Sequence, residues 1–135
     1  MTSLRILLAE DHAVVREGTR QILERDPGLE VVGEAADGAE VVEMARRLVP
    51  DVVLLDLGLP RLDGLEVWRR LRARGGEIQP LIVAMTGYGQ DEDRRRSEEA
   101  GFDAHMVKPM DLKVLQELLS RPGLARRGQQ SKEKE

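Results

Sequence analysis

Four short apolar runs in this chain each end in a residue able to do chemistry. RILLA leads into Glu10-Asp11, VVLL into Asp56, LIVAM into Thr86 and AHMV into Lys108-Pro109. Two carboxylates about 4 Å apart repel by roughly 4 kcal/mol at an effective dielectric near 20. Three acids gathered in one place therefore need a cation or must take up protons. A hard divalent ion meets that need. An open site of carboxylates, a backbone carbonyl and waters suits Mg²⁺, which binds where phosphate chemistry happens. With a phosphoryl group beside the ion, Asp56 becomes a nucleophile able to form an acyl phosphate. Phosphoryl transfer depends chiefly on positioning and charge neutralisation. Mg²⁺ and the Lys108 ammonium would hold the equatorial oxygens, and the Thr86 hydroxyl would donate a hydrogen bond.

These residues can act together only if the chain gathers them. Val52 to Leu55 show no apolar/polar alternation and are bounded by Gly58 and Pro60, the pattern of a strand covered on both faces in a parallel sheet. A carboxylate in such a strand costs several kcal/mol in desolvation unless it emerges at the strand end among partners. The same apolar signal marks strands at Leu4 to Ala9, Leu29 to Ala35, Pro80 to Met85 and Ala104 to Val107. Helical periodicity fills the intervals. His12 to Arg25 places Val15, Thr19, Ile22 and Leu23 on one face and stops at Asp26-Pro27-Gly28. After the Asp37-Gly38 turn, Val41, Met44, Ala45 and Leu48 form a stripe that closes before Pro50. Gly64 to Arg74 offers Leu65, Val67, Trp68 and Leu71. Gln90 to Ala100 is a strongly charged fourth helix, and Asp111 caps a fifth that runs to Ser120 with Leu112, Leu115, Leu118 and Leu119 as its stripe. Five strands alternating with five helices predict an α/β doubly wound parallel sheet built from right-handed crossovers. Ligands in that architecture bind at the carboxyl ends of the strands.

Composition narrows the reading further. At 135 residues the chain is one domain by length. Aromatics make up only 2%, so Val, Leu, Ile, Ala and Met fill the core. The absence of cysteine excludes disulfides, thiolate nucleophiles and Cys-based metal sites. A formal net charge of −4 argues against direct nucleic-acid binding. No secretory h-region or membrane span is present, which makes the cytoplasm the expected compartment. Residues 121–135, from Arg121 to Glu135, are charge-rich with Leu124 the one large apolar residue, and read as a disordered tail.

The chain from about Leu4 to Leu119 resembles the receiver domain of bacterial two-component response regulators. LLAEDH matches that family's acidic pair, VVLLDLGLPRLDG its phosphoacceptor strand and loop, VAMTG its switch threonine and MVKP its lysine–proline. The resemblance implies a flavodoxin-like fold with strand order 2-1-3-4-5 and a receiver over residues 1–120. It implies Asp56 as phosphoacceptor, with Glu10, Asp11, Asp56 and the Gly58 carbonyl around Mg²⁺, Asp11 being the preferred direct ligand of the pair. Thr86 and Lys108 would contact the phosphoryl group, and the Lys108–Pro109 bond would be cis, aiming Lys108 into the pocket. The family's mobile aromatic position holds His105, which makes Thr86 and His105 the switch pair. Two positions that influence phosphoryl lifetime hold Gly58, which leaves room for attacking water, and Tyr88, which is large enough to shield the site. AEDHAVVREG and VVGEAADG look like receivers joined to helix-turn-helix domains, whereas MTGYGQDEDRRRSEEAGFDAHMVKPMD looks like receivers of hybrid histidine kinases.

The expected function is phosphorelay signalling by a single-domain response regulator. Asp56 would take a phosphoryl group from a phosphohistidine on a histidine kinase or histidine phosphotransfer protein. The acyl phosphate would then shift a two-state equilibrium around the fourth helix, fifth strand and fifth helix, the face offered to a downstream protein. No enzymatic activity beyond the chain's own phosphorylation and dephosphorylation is expected. Nor is a membrane partner, and the chain would be a monomer or a weak phosphorylation-dependent dimer. Met1 and the polar tail favour a complete chain over a receiver cut from a hybrid kinase. One rival is a Mg²⁺-dependent phosphatase of the haloacid dehalogenase type, which expects a second Asp where this chain has Gly58. A binding-only pseudo-receiver is disfavoured because every pocket residue is present. His12 reads as a polar residue in the first turn of a helix rather than a phosphohistidine. His105 as a metal ligand is weaker still. The Arg94-Arg95-Arg96 run among Glu92, Asp93, Glu98 and Glu99 reads as a solvated, ion-paired face.

Overall fold

The computed structural model describes residues 3–59, 61, 64–73, 80–87, 95 and 101–120. Five strands, β1 (Leu4–Ala9), β2 (Leu29–Ala35), β3 (Val52–Asp56), β4 (Leu81–Thr86) and β5 (Ala104–Val107), form one parallel sheet in the order β2-β1-β3-β4-β5. The described helices are α1 (Ala13–Leu23), α2 (Gly38–Leu48), α3 (Gly64–Ala73) and α4 (Leu112–Leu119). Of the charged segment 90–100 only Arg95 is described, in helical conformation. The remainder of that segment, Pro60, Tyr88 and the tail 121–135 lie outside the described residues.

The unbroken apolar runs are explained by two cores, one on each face of the sheet. Ile6, Leu8, Leu54 and Val83 join Leu23 of α1 and Leu115 and Leu118 of α4. Leu7, Val53, Leu55 and Ile82 join Val41 and Ala45 of α2 and Val67 and Leu71 of α3. Successive strand residues point to opposite faces, so burial on both sides leaves no position for a polar residue until the strand ends. Val52 to Leu55 are all 0% exposed.

Local signals set most boundaries. Asp37 caps α2 by accepting the Glu40 amide, and Asp111 caps α4 by accepting from Lys113 and Val114. The β4 ladder begins at Leu81 rather than Pro80, since proline has no N–H to give, and it extends through Thr86. One predicted stripe is only partly buried: Thr19 and Leu23 of α1 are covered, but Val15 is exposed. Val15 lies in the first turn of α1, which follows soon after the carboxyl end of β1.

Two contacts lock α3 in place. Asp103, just before β5, accepts from Arg72 Nη2 at 2.7 Å and from the Ile82 amide at 2.8 Å, tying the end of α3 to the starts of β4 and β5. At the other end Gly64 abuts the loop after Asp56. A Cβ there would lie 2.5 Å from Leu57 Cδ2 and 2.7 Å from the Leu57 Cα. Backbone cannot yield as a side-chain tip can, so Gly64→Ala is expected to destabilise the fold by about 1–3 kcal/mol. Urea denaturation measures this, and an unchanged midpoint would show that the loop relaxes freely.

Candidate functional site

Strand register assembles the site. Ala9 pairs with Leu55, so Glu10 comes next at the level of Asp56. Asp56 pairs with Met85, placing Thr86 one residue beyond it, and Thr86 pairs with Val107, placing Lys108 one further. The Lys108 amide donates to the Thr86 carbonyl at 2.8 Å, which carries the ladder past the end of β5. The Lys108–Pro109 peptide is cis.

The side chains converge from those positions. Lys108 Nζ donates to Glu10 Oε1 at 2.5 Å and to Asp56 Oδ2 at 2.9 Å. Glu10 is 3% exposed and Asp56 7%. An unpaired buried charge is strongly destabilising, so the ammonium between these acids is a structural necessity as well as a chemical resource. Burial by itself would lower the Lys108 pKa; the hydrogen bonds to Glu10 and Asp56, together with their charges, outweigh it and hold the ammonium above the ordinary lysine value. Asp56 Oδ1 accepts the Gly58 amide at 2.9 Å. A Cβ on Gly58 would stand 3.6 Å from that oxygen, an ordinary van der Waals contact. Thr86 is buried, and its Oγ1 is 3.2 Å from His105 Nε2.

The acid pair is held by Arg16, which sequence reasoning did not single out, and by His12, which it read as a polar residue of the first helical turn. Arg16 Nη1 donates to the Glu10 carbonyl at 2.8 Å while its Nε lies 3.4 Å from Glu34 of β2. His12 is the N-cap of α1 yet makes no side-chain cap bond. Its amide donates to Glu10 Oε2 at 3.0 Å, and its Nδ1 is 3.2 Å from the same oxygen and 3.3 Å from Asp11 Oδ1. Position was the available signal: His12 adjoins the acid pair and Arg16 lies one helical turn further on. Among the described residues, Glu10, Asp11 and His12 form the group whose donor atoms all fall within 4.8 Å of one another, and Asp56 is not part of it.

The response regulator receiver domain family matches residues 6–120 of the chain. The chain belongs to that family. It is 39% identical over 118 residues to the nitrate/nitrite response regulator protein NarP of Escherichia coli, covering 87% of this chain and 54% of that protein. It is 38% identical to the transcriptional regulatory protein PdtaR of Mycobacterium tuberculosis, covering 82% of this chain and 52% of the relative. This receiver thus spans about half the length of those relatives. Among solved structures, the signal receiver domain of the putative response regulator NarL from Mycobacterium tuberculosis superposes with a TM-score of 0.78 at 26% identity, over 90% of this chain and all of that one. The receiver reading and the flavodoxin-like strand order therefore hold, and the phosphatase alternative is not favoured.

Receiver domains generally use Mg²⁺ at their acidic pocket, and the residues here fit such an ion. Asp11 Oδ1 is buried without a hydrogen-bond partner, the approach of His12 Nδ1 being poorly directed. An orphaned buried acceptor costs about 1–3 kcal/mol, a cost that a cation removes. Among the described residues no helix is long and apolar enough to cross a membrane.

The raised Lys108 pKa has a defined sign. Its pairing stabilises the fold fully below the ordinary value of 10.5 and is lost as the pH rises through the higher folded-state value. In the cation-free protein, an NMR titration of the Lys108 ε-methylene is expected to have its midpoint above 10.5. A midpoint at or below that value would mean that burial outweighs the two carboxylates.

Proposed function

We propose that this receiver takes a phosphoryl group from a phosphohistidine, on a histidine kinase or histidine phosphotransfer protein, onto Asp56. The observation that carries this reading is Lys108 Nζ bridging Glu10 and Asp56 where three strands end. Asp56 Oδ2 attacks phosphorus and the phosphohistidine nitrogen leaves, so the negative charge of the acyl phosphate appears beside an ammonium already in place. Glu10, Asp11, Asp56 and the Gly58 carbonyl are the oxygen donors for Mg²⁺, which supplies charge neutralisation at the transferring group. Lys108 contacts one phosphoryl oxygen and Thr86 donates to another.

The output is a change in protein binding. Drawing Thr86 toward the phosphoryl group breaks or reorients its bond to His105 on β5. A ligand shifts an equilibrium only through interactions that differ between its states, and this bond is one that differs. The face formed by the segment after β4, by β5 and by α4 then engages a downstream protein, in the cytoplasm. The receiver unit runs to residue 120, and its only chemistry is its own phosphorylation and dephosphorylation.

Asp56→Asn is expected to lose all labelling by acetyl phosphate in Mg²⁺, while the parent chain takes up about one phosphoryl group. Label retained on the variant would place the phosphoacceptor elsewhere. Sustained turnover of a generic phosphomonoester would favour a phosphatase.

A further inference from the structure

We propose that His12 gives the cation pocket a nitrogen donor, so that the site takes first-row transition dications, Mn²⁺ through Zn²⁺, in preference to Mg²⁺. The inference rests on reading the acidic pocket as a receiver's divalent-ion site, and it concerns which ion this particular chain selects.

The imidazole is in an unusual place for an N-cap side chain. Such a side chain ordinarily accepts an amide from the first helical turn, but that of His12 turns back over the acids instead. Its Nδ1 stands 3.2 Å from Glu10 Oε2 and 3.3 Å from Asp11 Oδ1. Ligand atoms on a six-coordinate ion with bonds of about 2.1–2.3 Å lie about 3.0–3.2 Å apart along each edge of the octahedron. The two spacings from His12 Nδ1 therefore match such edges, and all three donors lie within 4.8 Å of one another. Asp11 Oδ1 is the second indication, being a buried carboxylate oxygen with no hydrogen bond. Glu10 can serve both sides of the pocket, since Oε1 holds Lys108 while Oε2 faces His12. The His12 side chain is 72% exposed, so closing onto an ion disturbs little packing.

Ion preference is set by donor type. Oxygen donors alone suit Mg²⁺, a hard ion that parts reluctantly with its water. Imidazole suits the first-row transition dications, whose affinity for a mixed nitrogen and oxygen site rises from Mn²⁺ toward Cu²⁺. The ordinary reading of the same geometry is a protonated His12 ion-paired with the two acids. That arrangement would oppose cation binding, so removing His12 would strengthen the binding of all divalent ions alike.

The two readings separate on the full-length chain loaded with Mn²⁺ alone. Electron spin-echo modulation is expected to show an imidazole ¹⁴N coupling that disappears in His12→Ala. By calorimetry, the ratio of Co²⁺ to Mg²⁺ affinity should fall roughly tenfold in that variant, with its circular dichroism unchanged. Absence of the nitrogen coupling in the parent chain, or an unchanged ratio, would overturn the proposal. Labelling of Asp56 by acetyl phosphate with Mg²⁺, run in parallel, separates the two claims. Labelling without the nitrogen signal sinks the His12 assignment alone. The nitrogen signal without labelling supports the metal assignment and sinks the phosphoryl reading.

Discussion

Mutual repulsion among carboxylates at one edge of a parallel sheet is the constraint on which this structure turns. Glu10, Asp11 and Asp56 are delivered there by strands whose interiors admit no polar residue, and two of the three acids are almost wholly buried. Lys108 offsets part of that charge from the end of the sheet's edge strand. The compensation is incomplete by construction. One ammonium faces two buried acids, and Asp11 Oδ1 is a buried oxygen that accepts no hydrogen bond. That excess of negative charge is what a divalent ion would offset.

The rest of the fold holds that edge in register. Parallel pairing staggers Asp56, Thr86 and Lys108 by one residue at each step, so every chemical group enters the pocket from a different strand. Gly64 allows α3 to pack against the loop after Asp56. Arg72 and Asp103 anchor the far end of the same helix to the amino ends of β4 and β5. Arg16 ties the Glu10 backbone to β2. These contacts hold the backbone around Glu10 and Asp56 against its neighbours.

This chain covers about half the length of its curated relatives, and the matched part is the receiver domain. Residues at the rim of the pocket contact the buried groups. Here the rim carries His12, Gly58 and His105, and each touches a pocket residue.

Much of this was legible in the residues themselves. Unalternating apolar runs specify strands buried on both faces, and strand ends are the sole place where such runs can release a charge. The positions of Asp56, Thr86 and Lys108 obey that rule, as do β1, β2, β3 and β5 to the residue. Boundaries slipped where a backbone detail intervened, as at Pro80, and Val15 was misjudged because periodicity identifies a face but not whether anything lies opposite it. Only the tertiary structure decided the pairings within the pocket. Which carboxylate oxygen meets Lys108, whether His12 caps its helix or turns to the acids, and how Arg16 reaches Glu10 all depend on side-chain torsions. Register, packing and the balance of charge fix those torsions together, and no spacing along the chain encodes them.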